Sequence, residues 1–574
     1  MGLHTLDIIV LIGYFVIVAV IGFLATRLIR NREDYLMGSR RFGKAMMIMF
    51  AFGAGTHADS AVGVTSQSYR YGLAGIWYQW IMIFTLPIYW LLAPIFRRAR
   101  VLTTADFFER RFGRPMMYLY SVFAMFVLIS FNGVMFYGAG KVVEALTGGA
   151  MSLEAAIVLM AVVSFVYGIA GGLIAAVWND CFQGILTIVM SLLIIPFFWS
   201  RIGGLEGFQL AVTNSEHPNS QNMFSLVLQS DMTIYWIVMM AIGSLTSMVA
   251  QPQILASTAA AKTEMDGRVG FVGGMILKRL MTVPWALTGI MAIALYGYNE
   301  SLDPDHTFGL MSAELLPVGC VGLMLACVMA SVMDNCAINM LSFSGIYTNS
   351  IHLPILNPKA DEKRLLLVNR VSSLVFAIIS LGLSFLFTDV PAAMRFLWQT
   401  VPLMGIPWFF AILWTRSNRW GAIASFLAAM AASITAKVYF HWEGDAGLPY
   451  TITLYLTSGI VVGIVVSLLT PPESPRRTKQ FFLLLKTPIG QEHLLREAGF
   501  REVPGNDTFE MPLEDVAGDS DSFEHGAPSL DSLFDRIDNR RSRRQSIFGF
   551  VALLFVVLSL IIGILILADW LAPT

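Results

Sequence analysis

Long apolar stretches separated by short polar breaks run along nearly the whole chain. Stretches at 7–27, 116–136 and 548–567 reach or approach the roughly 20 residues with which a helix crosses a hydrocarbon core of about 30 Å. Strict alternation of apolar and polar residues is absent, which favours helices over strands. With clusters of Arg, Lys, Gly and Pro as breaks, about fourteen transmembrane helices are predicted, near 7–27, 46–68, 76–96, 116–145, 152–169, 174–199, 232–255, 269–297, 313–347, 365–388, 392–414, 418–437, 450–469 and 547–568.

Composition supports an all-α polytopic membrane protein. The 574 residues are 56% hydrophobic and 13% charged, whereas soluble domains carry about 25% charged residues. An ordinary cytosolic enzyme is therefore excluded, and a net charge of −1 with charges segregated by loop argues against a nucleic-acid partner. The cysteines lie in apolar segments without metal-site spacing, which argues against zinc or disulfides: Cys181, Cys320, Cys327 and Cys336.

Basic residues fall almost wholly in alternate loops, among them 97–114, 262–268, 359–364 and 416–419. By the positive-inside bias these loops are cytoplasmic, so both termini are expected outside a cell (plasma or inner) membrane. In chain order, the predicted organisation is a first helix and cytoplasmic loop at 1–45, a helical core at 46–415, trailing helices at 416–470, a polar cytoplasmic loop at 471–546 and a last helix at 547–574. For the polar loop, a solvated linker is favoured over a regulatory module.

Several predicted spans carry ionisable residues, although a charge at the bilayer centre costs at least about 2.5 to 3.5 kcal/mol. For each one alone, a snorkelling or structurally paired side chain is as good an explanation as a functional role. Their spread over separate helices favours a polar pathway through the membrane: His57, Asp59, Asp180, Lys278, Asp334 and Arg395.

Two spans also read as interrupted helices. Residues 51–60 concentrate Gly53, Gly55 and small polar residues in mid-membrane, and the seventh span contains Gly243 followed by Gln-Pro-Gln at 251–253. Unwound backbone exposes carbonyl oxygens, which are hard ligands suited to sodium. Broken helices at corresponding positions of two halves indicate an inverted-repeat transporter with a midplane site, although glycines that only allow close helix packing are the alternative.

Segments in order along 1–470 resemble the sodium/solute symporters, which include sodium-galactose, sodium-glucose, sodium-proline and sialic acid carriers. The resemblance rests on four motifs. They are Thr104–Gly113, like the family's Glu-Tyr-Leu-Glu-x-Arg-Phe-Gly; Gly171–Asp180, like Gly-Gly-Leu…Trp-Thr-Asp; Gln251–Glu264, like Gln-Pro-His-Ile-Leu…Ala-Ala-Lys-Ser; and Leu315–Leu323, like Leu-Leu-Pro-x-Gly-Leu-x-Gly-Leu. The resemblance implies a LeuT-like five-plus-five inverted-repeat core within a fourteen-helix branch.

In the family, sodium lies between the break of the second span and the ninth span. The resemblance places Gly53, Thr56 and Cys327 as carbonyl ligands, and Ala330 and Ser331 at the family's hydroxyl pair. Ala330 departs from the pattern, because it removes one oxygen. Asp334 is one helical turn beyond and is expected to replace that ligand.

Asp180 matches a family carboxylate that approaches this region. Together with Asp334 it would hold a cation by charge. Without a cation the two acids can share a proton, so proton coupling stays an alternative.

For the solute, the resemblance carries the contacts of sugar-transporting members to Ser60, Gln79, Lys278 and Gln399. Gln79 and Ser60 differ from the family's acid and glutamine at those positions, which argues against a literal galactose site. His57 and Asp59 flank the break without an assigned role, and Lys278 is a candidate partner for Asp59.

The expected function is sodium-coupled symport of a small polar solute, with a sugar or polyol favoured, by alternating access. The expected partners are the solute, Na⁺ as the coupling ion and the bilayer, with a monomer sufficient and no further cofactor. An enzyme is not expected, since neither a Gly-x-x-x-x-Gly-Lys-Ser/Thr nor a His-Glu-x-x-His motif occurs. An uncoupled sensor or channel is the other alternative, favoured by Ala330.

Overall fold

The computed structural model describes residues 4–27, 42–53, 55–56, 58–229, 231–259, 261–299, 301–502, 509–510 and 530–572. The described chain is almost entirely helical. Eleven of its helices are long and apolar enough to cross a membrane, and Lys44–Gly53, Leu153–Phe165 and Ile234–Ala250 are shorter apolar helices. A polytopic all-α protein is thus confirmed, while the number fourteen stays a prediction.

The first part of the bundle precedes the second interrupted helix. Its α-helices, in chain order, are α1 Thr5–Thr26, α2 Lys44–Gly53, α3 Ala58–Tyr71, α4 Trp77–Trp80, α5 Leu86–Arg98, α6 Thr104–Phe112, α7 Arg114–Leu146, α8 Leu153–Ile202 and α9 Gly204–Thr213. Short 3-10 segments at Gly72–Ile76 and Ile81–Thr85 lie between α3 and α5. Gly72, with φ +66°, turns the chain ahead of the third predicted span, which is an irregular helix.

The second part continues through the membrane and ends in the polar segment and the last helix. Its elements are α10 Ile234–Ala250, α11 Pro252–Ala259, α12 Glu264–Tyr296, α13 Thr307–Leu315, α14 Cys320–Ile346, α15 Glu362–Ser384, α16 Val390–Thr400, α17 Gly405–Leu413, α18 Arg419–Val438, α19 Gly444–Leu469, α20 Pro475–Lys486, α21 Glu492–Glu497, β1 Arg501–Glu502, β2 Phe509–Glu510, α22 Leu530–Asp535 and α23 Arg540–Leu571. The two short strands pair antiparallel, and a π-helix at Tyr347–Leu356 extends α14.

Both predicted interruptions are present. The α2 helix ends at Gly53, residues 55 and 56 are not helical, and α3 begins at Ala58. The α10 helix ends at Ala250, Gln251 takes an extended conformation, and Pro252 begins α11. Proline suits the first helical position because its missing N–H needs no partner there.

The fifth and sixth predicted spans fall within one helix, α8, of 50 residues. A straight helix of that length would measure about 75 Å, more than twice the hydrocarbon core. Both of its ends lie at the same end of the bundle. Leu153 and Ile157 pack on Gly140 near the end of α7, whose Ala145 contacts Gly309 of α13, and Arg201 pairs with Glu314 of the same helix at 2.8 Å. Ends on the same side are what two spans with a turn between them would give, but the structure gives α8 without a break, so the division into two spans stays a prediction.

The ninth predicted span begins later than expected. Residues Leu316–Gly319 separate the short helix α13 from α14, so the helix starts at Cys320 and not at 313. The cause is local, because Pro317 lacks an N–H and Gly319 has φ +89°, in the left-handed region that suits glycine.

Part of the polar segment 471–546 is folded and docked on the bundle, unlike a solvated linker. A small apolar core joins α20, α21 and α22. Buried Arg100 donates from Nη1 to the carbonyl of Thr487 at 3.2 Å and from Nη2 to Glu492 Oε1 at 3.0 Å. Arg98 donates to Glu264 of α12 and to Asn539. We call residues 475–500 and 530–539 the docked module.

Candidate cation and solute site

The two helix interruptions face one cavity of about 120 Å³ inside the bundle. Gly55 from the first interruption and Gln251 from the second both line it. Side chains of α3, α4, α7, α10, α12, α14 and α16 are among the rest of the lining. Its polar members are Asp59, Ser60, Tyr78, Gln79, Thr85, Ser247, Gln251, Gln253, Lys278, Asn335 and Asn339. A cavity with this lining can bind a small solute by many hydrogen bonds.

Lys278 connects the two sides of the cavity. Its side chain is buried, and its ammonium donates to the carbonyl oxygen of Gly55 and, at 3.5 Å, to Ser60 Oγ. Gln79 Nε2 donates to the same Ser60 hydroxyl at 3.4 Å, and Arg279 Nη1 donates to Gln79 Oε1 at 3.4 Å. The predicted solute residues Ser60, Gln79 and Lys278 are therefore in one hydrogen-bonded group at the cavity wall.

Asp59 is 2% exposed at the start of α3 and packs against Gly138 of α7. Its Oδ1 has no hydrogen-bond partner among the described residues. The suggested ion pair with Lys278 is not formed directly, since the ammonium is engaged by Gly55 and Ser60. His57 lies outside the described residues.

The predicted cation residues converge where α2 ends. A Cβ placed on Gly53 would lie 3.2 Å from Asp180 Cβ, so the buried carboxyl of Asp180 lies beside the unwound backbone. Asn335 Nδ2 donates to Gly53 O at 3.2 Å and to Ser331 O at 2.9 Å. The carbonyls of α2 and α14 are therefore close neighbours.

Other members of the predicted set lie on the same elements. Cys327 and Ala330 are fully buried in α14, and the Ser331 hydroxyl donates to Val328 O at 2.8 Å. The hydroxyl of Thr56 is buried without a partner within the described parts of the chain. Asp334 lies in α14, but its side chain is not among those that the structure describes. Carbonyl, hydroxyl and carboxylate oxygens are the donors that a hard cation requires, and the orphaned Thr56 hydroxyl fits such an ion.

Gln399 differs from the expectation carried over by resemblance. It is half-buried on α16 and does not line the cavity, whereas its neighbour Trp398 does. Trp398 packs edge-on against Tyr78 with ring centroids 4.7 Å apart. An aromatic wall suits the apolar faces of a ring-shaped solute.

Some site residues were not singled out from the sequence. Asn335 and Asn339 are neutral amides one helical turn apart in an apolar helix, so the charge pattern does not distinguish them. Arg279 is fully buried, and its Nε and Nη2 have no partner in the described chain. Its position directly after Lys278 was the available signal, because adjacent basic residues in mid-span are rare.

Paired broken helices around a polar cavity define the class of secondary transporters. The chain belongs to the sodium:solute symporter family, whose sequence profile matches residues 35–429.

Relatives support the same assignment. A sodium/glucose cotransporter of Vibrio parahaemolyticus is 24% identical over 76% of this chain and 86% of its own length. A sodium/myo-inositol cotransporter 2 of Sus scrofa is 25% identical over 76% of this chain and 70% of its length. The osmoregulated proline transporter OpuE of Bacillus subtilis is 24% identical over 81% of this chain and 95% of its length.

Solved structures show the same fold. A Na⁺-coupled sialic acid symporter in a substrate-bound outward-open state gives a TM-score of 0.71 at 17% identity, over 82% of this chain and 99% of that one. Mhp1, a nucleobase-cation-symport-1 family transporter, gives 0.53 at 12% identity, over 78% and 98%. These similarities confirm a LeuT-like transporter architecture, while the five-plus-five repeat stays a prediction.

Proposed function

We propose that this protein is a sodium-coupled symporter that moves a small polar solute, a sugar or polyol, into the cell. The observation that carries the proposal is that both broken helices, with Lys278, Ser60 and Gln79, face one cavity next to the carbonyls of Gly53 and Ser331. The relatives named for glucose and myo-inositol transport favour a polyhydroxylated solute, and the proline transporter makes amino acids the main competing class.

The cycle we propose is alternating access. Sodium held by Gly53, Thr56, Cys327 and Ser331, with Asp180 and Asp334 near, stabilises the state whose cavity accepts solute. Coupling exists to the extent that the cation prefers the solute-competent state, and by linkage the solute then strengthens cation binding equally. A monomer in the cell membrane is sufficient for this cycle.

Uptake into proteoliposomes tests the proposal. Myo-inositol, glucose and proline are offered under an inward sodium gradient, a potassium gradient and a proton gradient. We expect accumulation of a polyol or sugar above equilibrium only with sodium. Accumulation with protons alone would favour the alternative that uses Asp180 and Asp334, and sodium-gated current without accumulation would favour a channel.

A matched pair of variants ties uptake to the cavity. Lys278→Gln removes the ammonium that holds Gly55 and Ser60, and hydrogen bonds to charged groups contribute about 1.5 to 3 kcal/mol, so uptake is expected to fall roughly tenfold or more. Lys437→Gln changes an exposed lysine at the end of α18 and is expected to leave uptake unchanged. Equal uptake by both variants would remove Lys278 from the solute site.

A further inference from the structure

Asn335 touches both halves of the proposed site. Its side chain is 3% exposed, it lines the solute cavity, and its Nδ2 bridges the carbonyls of Gly53 and Ser331. Gly53 O also accepts from the backbone N–H of Thr56 at 3.0 Å, and Ser331 O lies within α14, so the amide supplies each carbonyl with a further donor. The amide nitrogen thus lies beside both oxygens, in the position that a bound cation would take.

We propose that Asn335 is a cation ligand that couples the cation to the solute through a turn of its amide. This inference rests on the proposed function, because it assumes that sodium binds at the break. A cation beside Gly53 and Ser331 repels the amide hydrogens. Rotation by half a turn about the Cβ–Cγ bond, a broad and roughly two-fold torsion, brings Oδ1 to the cation in place of Nδ2.

The turned amide adds an oxygen ligand to a site from which Ala330 removes one, beside the carboxylate expected from Asp334. Ala330 leaves Ser331 as the single hydroxyl of the expected pair, and an amide oxygen is a hard ligand of the same kind as a carbonyl. Asn335 lies one helical turn beyond Ser331 on the same face of α14, so its side chain reaches the Ser331 carbonyl beside the proposed cation position.

The same rotation changes what the solute meets. With Oδ1 on the cation, the amide NH₂ no longer serves the two carbonyls and faces the cavity, where it donates to an oxygen of the solute. A solute that accepts this bond holds Oδ1 on the cation. The two ligands then strengthen each other's binding by the same factor, as linkage requires.

Sodium titrations of thermal stability in the full-length protein test whether Asn335 is a cation ligand. Choline chloride keeps the ionic strength constant. Asn335→Ala is expected to raise the half-saturating sodium concentration at least about tenfold. Asn335→Asp keeps two oxygens and is expected to bind sodium at least as tightly as the native chain. Asn222→Ala is the control, because Asn222 is exposed and does not line the cavity, and sodium binding should be unchanged.

Two further results decide the coupling arm, with myo-inositol and glucose as probes. The double variant Asn335→Ala with Ala330→Ser should recover most of the sodium affinity. In the native protein the probe should raise sodium affinity, and we expect this shift to be absent from both the double variant and Asn335→Asp. Native sodium binding in Asn335→Ala overturns the inference while the proposed function stands. A native protein without any sodium response overturns both. If Asn335→Ala does not fold, Asn335→Asp decides: sodium affinity at the native level or above without the shift by the probe supports the inference, and a native shift overturns it.

Discussion

Gly274 shows how little space separates α12 from the half-helix that ends at the break. A Cβ placed on Gly274 would lie 2.6 Å from the nitrogen of Phe52 and 2.7 Å from the carbonyl oxygen of Ile48. Both are backbone atoms, so they cannot move without displacing α2. We expect Gly274→Ala to lower the free energy of unfolding by about 1 to 3 kcal/mol and to weaken sodium binding, measured by thermal unfolding with and without sodium.

Gly382 provides the control for that substitution. A Cβ placed there, inside α15, meets no atom within 4 Å. Gly382→Ala is expected to leave sodium binding intact and to be neutral or stabilising by up to about 1 kcal/mol, because alanine favours the helix. Equal loss of sodium binding in both variants would mean that close packing of α12 on α2 does not position the break.

At this scale, sequence reasoning finds residues whose chemistry is unusual for their surroundings. Lys278 and Asp180 were predicted because charges are rare in apolar spans, and the structure places them at the cavity and beside Gly53. Asn335 was missed, because a neutral amide in a helix is unremarkable until its partners are known. Gln399 was assigned to the cavity only from its position in the sequence motif. An error of one residue rotates a side chain about the helix axis by about 100°, and the structure has the neighbouring Trp398 in the cavity lining instead.

Among the elements, the docked module depends on a contact that pH can test. Burial alone would raise the pKa of Glu492, but the backbone amide of Gly490 and the guanidinium of Arg100 hold it below its ordinary value of 4.5. A carboxyl with a depressed pKa stabilises the docked state above its unfolded pKa, and this contribution is lost as pH falls through the folded value. Docking is therefore expected to be constant from pH 8 to 5 and to weaken below about 4.5.

Hydrogen exchange of residues 483–498, corrected for intrinsic rates, measures this docking. Glu492→Gln is expected to speed exchange about threefold to tenfold at pH 7, since a partly exposed pair contributes little more than about 1 kcal/mol, and to remove the acid dependence. Glu497→Gln is the control, because Glu497 pairs with Arg536 inside the module. Unchanged exchange in Glu492→Gln would show that other contacts of Arg98 and Arg100 hold the module.

The helix interruptions and the docked module differ in how far the sequence predicts them. The interruptions at Gly53 and Gln251 were predictable, because glycine clusters and Gln-Pro-Gln end helices locally. The docked module was not, because its core joins Leu494 and Phe500 to Leu533, more than 30 residues further along a polar, acidic segment. No local pattern records such a contact.

On the scale of the whole molecule, polar contacts sort to the two ends of the bundle. Arg114 begins α7 at one end, where Arg98 and Arg268 reach Ser542 ahead of the last span. Lys141 near the other end of α7 pairs with Asp303 at 2.9 Å, and Glu144 contacts His306 at 3.1 Å. The arginine-rich end, which carries the docked module, is the one that the positive-inside bias assigns to the cytoplasm.

Cysteine labelling in cells tests this orientation, with Cys181, Cys320, Cys327 and Cys336 replaced by serine. Asn214→Cys and His493→Cys then each give a single exposed thiol, one after α9 and one in the docked module. Because charged loops rich in arginine are retained on the cytoplasmic side, we expect a membrane-impermeant maleimide to label position 214 in intact cells and position 493 only after permeabilisation. The parent without added cysteines must keep its sodium response and stay unlabelled. The reverse labelling pattern would place the module outside the cell.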